Sequence, residues 1–342
     1  AYQLCPTLIR CPAQPERYAA VSSTILEALQ DITPDIEVFS VDESFLDITR
    51  CQRLLGSAPR IARLAKQKVL EVSGVLCSVG LSGDKTTAKY AAKLNKPDGL
   101  TVIPPWEARR RLEDVPVTEL CGIADGIGAF LACHGVYTCG DMRNLPISVL
   151  GRRFGNPGRR IWYMCQGQDP EKIHVNVPPP KSVGHGKVVP PDTRDCKVLL
   201  IYLLHMSEKV GARLRRHRLQ ATIFFVGLRT REGWVGGKRR CAIPTDDGHH
   251  IMTLCRAVMR EDWSGQGVHQ VQVTALDPVD TGNQLELFQE TAAPRNSANA
   301  VMDAVNQRYG EFTLAPARLL NRSSMPNVIA PAWKPFGHRQ TI

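Results

Sequence analysis

Two adjacent carboxylates, Asp42 and Glu43, sit mid-way along Val38-Phe39-Ser40-Val41-Asp42-Glu43-Ser44-Phe45-Leu46-Asp47. Like charges that close are costly unless a cation sits between them. Mg²⁺ takes oxygen ligands, typically one or two carboxylates together with substrate phosphates. The pair therefore suits metal-assisted phosphoryl or nucleotidyl transfer, against the plainer alternative of a solvated acidic turn. Further along, Lys85, Lys89 and Lys93 recur at i, i+4 and i+8, which places them on one face of a helix. That face is either a solvated lysine stripe or a phosphate-facing one beside the acid pair. A Walker-type phosphate loop is excluded, because Gly80 to Thr86 lacks the required four-residue gap and Gly-Lys pair.

These residues need elements to hold them. Val38, Phe39, Val41, Phe45, Leu46 and Ile48 favour strands, and the acid pair interrupts them where a tight turn falls, so Ile32 to Ile48 reads as a β-hairpin with an acidic tip. Helices are expected over Tyr18–Gln30 and Pro59–Val72, each with apolar residues at helical spacing. Val75 to Gly80 reads as a buried strand, followed by a helix start at Ser82-Gly83-Asp84. This alternation predicts helices packed on one sheet. From Val115 to Asp169 short helices are punctuated by glycine, including Gly122 and Gly126. Their glycines are either ordinary caps or backbone positions open to a phosphate.

Three prolines, Pro178 to Pro180, close a tether. Beyond it lies the whole charge excess of the chain. The net charge is +10, and residues 181 to 260 hold 16 Lys+Arg against 6 Asp+Glu, leaving the remainder balanced. A basic module attached to a neutral body points to nucleic acid. Its pattern predicts strand (Ser182–Val189), helix (Arg194–Leu219), strands (Thr222–Leu228 and Lys238–Ile243), helix (His249–Asp262) and strand (Val268–Leu276). This βαββαβ order implies a four-stranded sheet with two helices on one face. Arg213, Arg215, Arg216 and Arg218 cluster at the end of the long helix, where they also complement its dipole. Lys181, Lys187, Lys238, Arg239 and Arg240 fall in strand patterns, positioned to track a duplex backbone. Little aromatic interleaving disfavours a base-stacking platform for single strands. Eleven cysteines form no CxxC pair, so reduced thiols are expected rather than disulfides or zinc. No apolar run approaches the roughly eighteen residues of a membrane span, and a cytoplasmic location is expected.

The wording of two blocks carries a resemblance. "FSVDESFLDIT" resembles the palm hairpin of the Y-family (translesion) DNA polymerases, and "GLSGDKTTAKYAAKLNKPDGLTVI" is similar to that family's next block. The resemblance implies an α+β, multidomain fold: a partial palm (1–105), a helix-hairpin-helix thumb (106–174), a linker (175–181), a little-finger domain (182–280) and a C-terminal tail (281–342). Asp42 and Glu43 would be the catalytic and metal carboxylates of a two-Mg²⁺ site. Lys96 would reach the triphosphate of the incoming nucleotide, with Lys89 and Lys85 behind it. Gly122 and Gly126, with Ala124 in place of the family's second hairpin glycine, would receive a DNA phosphate. Lys181, Ser182, Arg215, Arg216, Arg218, Lys238, Arg239 and Arg240 would grip the duplex. Gln284-Leu285-Glu286-Leu287-Phe288 looks like the peptide that binds the bacterial sliding clamp, through Gln284, Leu285, Leu287 and Phe288; the alternative is a final strand. The tail beyond resembles the extension of UmuC-like members.

The implied function is error-prone translesion synthesis in DNA repair and the SOS response, on primer-template DNA and deoxynucleoside triphosphates, with accessory SOS proteins as further partners. The family's first metal carboxylate and its fingers precede the point where residue 1 falls. The expectation is therefore a fragment, or a chain whose metal site is incomplete by itself. The rival reading is a non-catalytic accessory protein that binds DNA and the clamp; a different metal nuclease leaves the later blocks unexplained.

Overall fold

A computed structural model describes residues 4–9, 11–281 and 293–321. These form two compact units that part between Val177 and Pro178.

In the first unit Pro15 opens helix α1 (Pro15–Gln30), where its missing N–H leaves no bond unmade. The hairpin follows as β1 (Ile36–Val38) and β2 (Ser44–Leu46), antiparallel, with Ile36 opposite Leu46 and Glu37 opposite Phe45. Beyond a single turn, α2 (Gln52–Leu55), helix α3 (Ala58–Ser73) ends at Gly74, whose φ of +68° suits glycine. Leu26, Leu29, Ile32, Ile36, Ile61 and Val69 bury together as the core of this part. Strand β3 (Val79–Leu81), helix α4 (Lys85–Leu94) and strand β4 (Leu100–Val102) form a parallel crossover unit. At Gly80 a side chain is impossible, since a Cβ would lie 1.9 Å from the Ala88 carbonyl oxygen. That contact seats α4 directly on the β3 backbone.

Two expectations need correction here. The strand starts at Val79 rather than Val75, and Val75 and Leu76 are exposed. Two separate two-stranded ladders replace the single sheet. Residues 75–78 instead lie along α3, where Lys66 donates to the Cys77 carbonyl at 2.5 Å. The glycine-punctuated region forms α5 (Pro105–Leu112), α6 (Asp125–Ala132) and α7 (Ile147–Met164), the last broken at Gly155. Leu112, Leu120, Leu131, Met142 and Leu150 are fully buried among them.

The second unit has the predicted order: β5 (Ser182–Thr193), α8 (Cys196–Arg216), β6 (Leu219–Arg229), β7 (Trp234–Thr245), α9 (Gly248–Glu261) and β8 (Val268–Leu276). The strands are antiparallel in the order β5-β8-β6-β7, and a short β9 (Val279–Asp280) adds to β6. Both helices start at an aspartate cap, Asp195 accepting from the Lys197 amide and Asp247 from the His249 amide. Every residue of α8 from Leu203 to Gly211 is buried, which a two-layer fold does not achieve for a surface helix. A third layer explains it. Helix α10 (Ala293–Tyr309) and the segment up to Leu319 pack on α8, with Leu319 fully buried, Asp303 paired to Arg215 and Glu311 to Lys209. This is a structural role for tail residues that the sequence did not reveal.

His185 on β5 lies opposite Val273 and so faces the helix layer. Burial there, reinforced by Arg213 and Lys209, lowers its pKa to about 3. An unfolded histidine titrates near 6.5, so between about pH 6.5 and 3 only the unfolded chain binds this proton, and stability falls as pH falls. In urea titrations the unaltered chain should lose up to about 1.4 kcal/mol per pH unit across that window, and His185→Gln should flatten the slope. Parallel slopes for the two proteins would show that His185 does not titrate on unfolding.

Candidate active site and nucleic-acid interface

The hairpin tip is closed by its own backbone: the Phe39 and Ser40 amides both donate to the Glu43 carbonyl, at 2.9 and 3.0 Å. Ser40 Oγ donates to the Asp42 carboxylate at 2.6 Å, holding that side chain at the tip. Both acids are exposed, and their oxygens are hard donors of the kind a divalent cation takes alongside phosphates. The structure brings Glu43 together with one predicted lysine. Lys89 Nζ reaches its carboxylate at 2.6 Å while lying 4.1 Å from the centre of the Phe39 ring. Among the described residues no group of three His, Cys, Asp or Glu side chains is placed to hold a metal. A cation held by the two tip carboxylates would complete its shell with substrate oxygens and water.

Under the tip lies a buried polar network that sequence reasoning missed. Glu37, in the middle of β1, accepts from Lys85 Nζ at 2.6 Å and from the His174 amide at 2.7 Å. Neighbouring Thr86 donates to Asp169, which also takes both nitrogens of the Arg160 fork at 2.8 and 2.7 Å. Arg160 and Lys85 both reach Glu171. Helix α4 is fixed at its start by Asp84, whose carboxylate caps the Thr87 amide; burial nevertheless pushes the Asp84 pKa up. The available signal was Glu37 itself, a charge between two inward-facing residues of a strand. Its partners are far away in sequence.

The predicted lysines therefore divide. Lys85 is about 10 % exposed and already paired, which corrects its assignment to a nucleotide phosphate. Lys89 is paired with the acid rather than free. Lys96 is exposed, on the loop between α4 and β4, and has no ion-pair partner among the described residues. That loop is anchored by Lys66, which donates to the Asp98 carbonyl at 2.9 Å and pairs with its carboxylate.

Gly122 adopts φ +92° with open space beside it, and Gly126 is likewise uncrowded. Ala124 caps α6 in extended conformation, and the first helical bonds come from the amides of Ile127 and Gly128. The amides of Asp125 and Gly126 thus precede the ladder at a helix start, the geometry that receives anions.

In the second unit the side-chain alternation of the strands sorts the basic residues between faces. Lys238 and Arg240, opposite Phe225 and Ile223, lie on the face away from the helices, together with Gln272 and Thr274. Arg239 lies opposite fully buried Phe224, on the helix face, and pairs with Asp262 at 2.5 Å. Its expected duplex contact is corrected accordingly. Arg215 is corrected too: Asp303 takes its guanidinium through two bonds, at 2.6 and 2.8 Å, and it is only 12 % exposed. Lys187, opposite buried Val271, also faces the helices, where burial lowers its pKa. Lys181, Ser182, Arg216 and Arg218 are exposed. The clamp-like run from Gln284 to Phe288, and the last residues of the tail, lie outside the described residues.

Against known proteins, residues 1–93 match the impB/mucB/samB family profile and residues 180–287 match that family's C-terminal domain. DNA polymerase IV of Moorella thermoacetica is 33% identical over 313 residues, spanning 90% of this chain and 78% of that protein. The chain belongs to the Y family of DNA polymerases. DNA polymerase IV of Serratia proteamaculans is 31% identical over 289 residues, covering 81% of this chain and 80% of that one. A chimeric Y-family polymerase shares the fold, with a TM-score of 0.68 at 24% identity over 82% of this chain and 81% of its own. Both of these relatives are DNA polymerase IV proteins. Asp42, Glu43, Lys85 and Lys89 fall within the first family match, and Lys181, Lys238 and Arg240 within the second. Polymerases of this family are metal-dependent. No helix among the described residues is long and apolar enough to cross a membrane.

Proposed function

We propose that this chain is a template-directed DNA polymerase of the translesion type, with Asp42 and Glu43 as its acidic centre. The observation that carries the reading is the hairpin tip, where two exposed carboxylates stand side by side and one is held by Lys89. Asp42 and Glu43 would hold Mg²⁺, and the ion would supply positive charge to offset that developing on the triphosphate and to ease loss of the primer 3′-hydroxyl proton. Lys96, exposed on the loop beyond α4, supplies positive charge to the triphosphate. A non-catalytic accessory role needs neither acid, so it does not account for a tip that keeps both exposed and ordered.

The remaining assignments follow the same logic. The amides before α6, at Gly122 to Gly126, take one phosphate of the duplex. Lys181, Ser182, Lys238 and Arg240 track its backbone, with Arg216 and Arg218 adding charge from the end of α8. Gln284, Leu285, Leu287 and Phe288 dock on a bacterial sliding clamp, and accessory proteins of the SOS response are further partners. The test is Mg²⁺-dependent extension of a primer on intact and abasic templates; extension that survives Asp42→Asn would refute the reading.

The sorting of cations between sheet faces gives a separate expectation. Replacing Lys238 or Arg240 by Ala should weaken primer-template binding and lower the slope of log affinity against log salt by about 1 each. Arg239→Ala should leave both quantities unchanged, because that side chain is committed to Asp262 on the other face. Fluorescence anisotropy at several salt concentrations reads this. Equal effects from all three would show that the faces are wrongly assigned.

A further inference from the structure

We propose that Lys85 is a positioning residue, which through Glu37 fixes the acidic hairpin on α4 and on the 169–174 segment. This rests on the polymerase reading for its catalytic consequence, although the structural part stands without it. Strands β1 and β2 have three residues each, too few for a ladder that holds itself in place. One face of the hairpin is secured by Ile36, Val38 and Leu46 in the apolar core. On the other face Glu37, opposite Phe45, is only 9 % exposed and takes both of its donors from distant segments, Lys85 and the His174 amide.

The lysine comes from a fixed frame. It is the first residue of α4, next to the Asp84 cap and to Thr86, which is bonded to Asp169. Its ammonium also lies 3.7 Å from Glu171 and 5.3 Å from the centre of the Phe45 ring, the residue opposite Glu37. One turn further on, Lys89 reaches Glu43 at the tip. Helix α4 thus holds the hairpin at two levels. The upper contact is exposed and touches the acid that meets substrate, whereas the lower one is buried and cannot reach a phosphate without breaking its pair. Misplacing reacting groups by about 1 Å can cost about a hundredfold in rate. Loss of the lower contact acts on chemistry through the placement of Asp42 and Glu43.

The experiment compares the unaltered chain with Lys85→Met and with the double variant Glu37→Gln/Lys85→Met. The double variant removes both buried charges, so neither is left without a partner. Hydrogen exchange should rise about tenfold or more at the hairpin, residues 36–46, in Lys85→Met and stay unchanged in α3. Single-nucleotide incorporation at saturating nucleotide should fall about ten- to a hundredfold, with primer-template Kd and nucleotide KM within twofold. The double variant should keep both losses, because it lacks the anchor although it buries no unpaired charge. Three results would overturn the proposal: a Lys85→Met hairpin and rate like the unaltered chain, exchange rising equally in α3, or a raised KM at unchanged kcat. The last would mean that Lys85 binds nucleotide after all. Should Asp42→Asn retain incorporation, the assignment of the acidic centre fails, and the exchange data still decide whether Lys85 anchors the hairpin.

Discussion

Asp42→Asn is expected to lower templated nucleotide incorporation by at least about a hundredfold while leaving primer-template affinity within twofold. The substitution keeps the shape of the side chain, and Ser40 Oγ still finds an acceptor on it, so the tip keeps its internal bond. The exposed position means that no buried contact is lost, and the thermal midpoint should not move. What disappears is one negative charge beside Glu43. Because Glu43 is partly compensated by Lys89, Asp42 is the tip carboxylate with full capacity for a cation. Single-turnover kinetics with excess Mg²⁺ would separate the outcomes. A loss of less than tenfold would remove Asp42 from the chemistry and overturn the assignment of the acidic centre.

The residues that sequence could place are those whose neighbours along the chain determine them. Phe39, Val41, Phe45 and Leu46 around an acid pair specify a hairpin, and the observed strands fall inside the expected span. The βαββαβ order of the second unit was legible for the same reason, and Val268–Leu276 falls on the residues expected. Partners across space were not legible. Lys85 and Lys89 looked like a phosphate stripe because their acids lie 48 and 46 residues upstream. Arg215 looked like a duplex contact because Asp303 lies 88 residues downstream, in a tail of no evident purpose. Local charge counting registers a cation and cannot register its neutralisation.

Arg239 is a different kind of miss, since its signal was present. Strand side chains alternate, so Lys238 and Arg240 share a face that Arg239 cannot share. Its own face is that of Val235 and Cys241, both of which pack against the core. Reading the period of two through the basic run, rather than its summed charge, would have sent Arg239 inward. The open face that remains is less basic than the composition of the segment suggests, and its charge is concentrated on the edge strand β7.

The largest stability effect is expected at Asp169. Its side chain has no exposed surface and accepts four hydrogen bonds, from Thr86 Oγ1, from two nitrogens of Arg160 and from the Glu171 amide. Asp169→Ala removes every one of these acceptors at once. Thr86 is left buried without its partner, and Arg160 keeps only Glu171. Breaking a buried pair from one side typically costs about 3–5 kcal/mol. Arg160 is more than a third exposed, and water can recover part of its loss, so about 3 kcal/mol is the better expectation. In a unit of this size that corresponds to a fall of roughly 10 °C in thermal midpoint. Asp169→Asn, which keeps an acceptor oxygen, should fall by clearly less. Hydrogen exchange should locate the loss in α4, α7 and the 169–174 segment. A shift below about 2 °C would mean that Thr86 and Arg160 are satisfied without Asp169. The network would then be a consequence of the packing around α4 and not one of its causes.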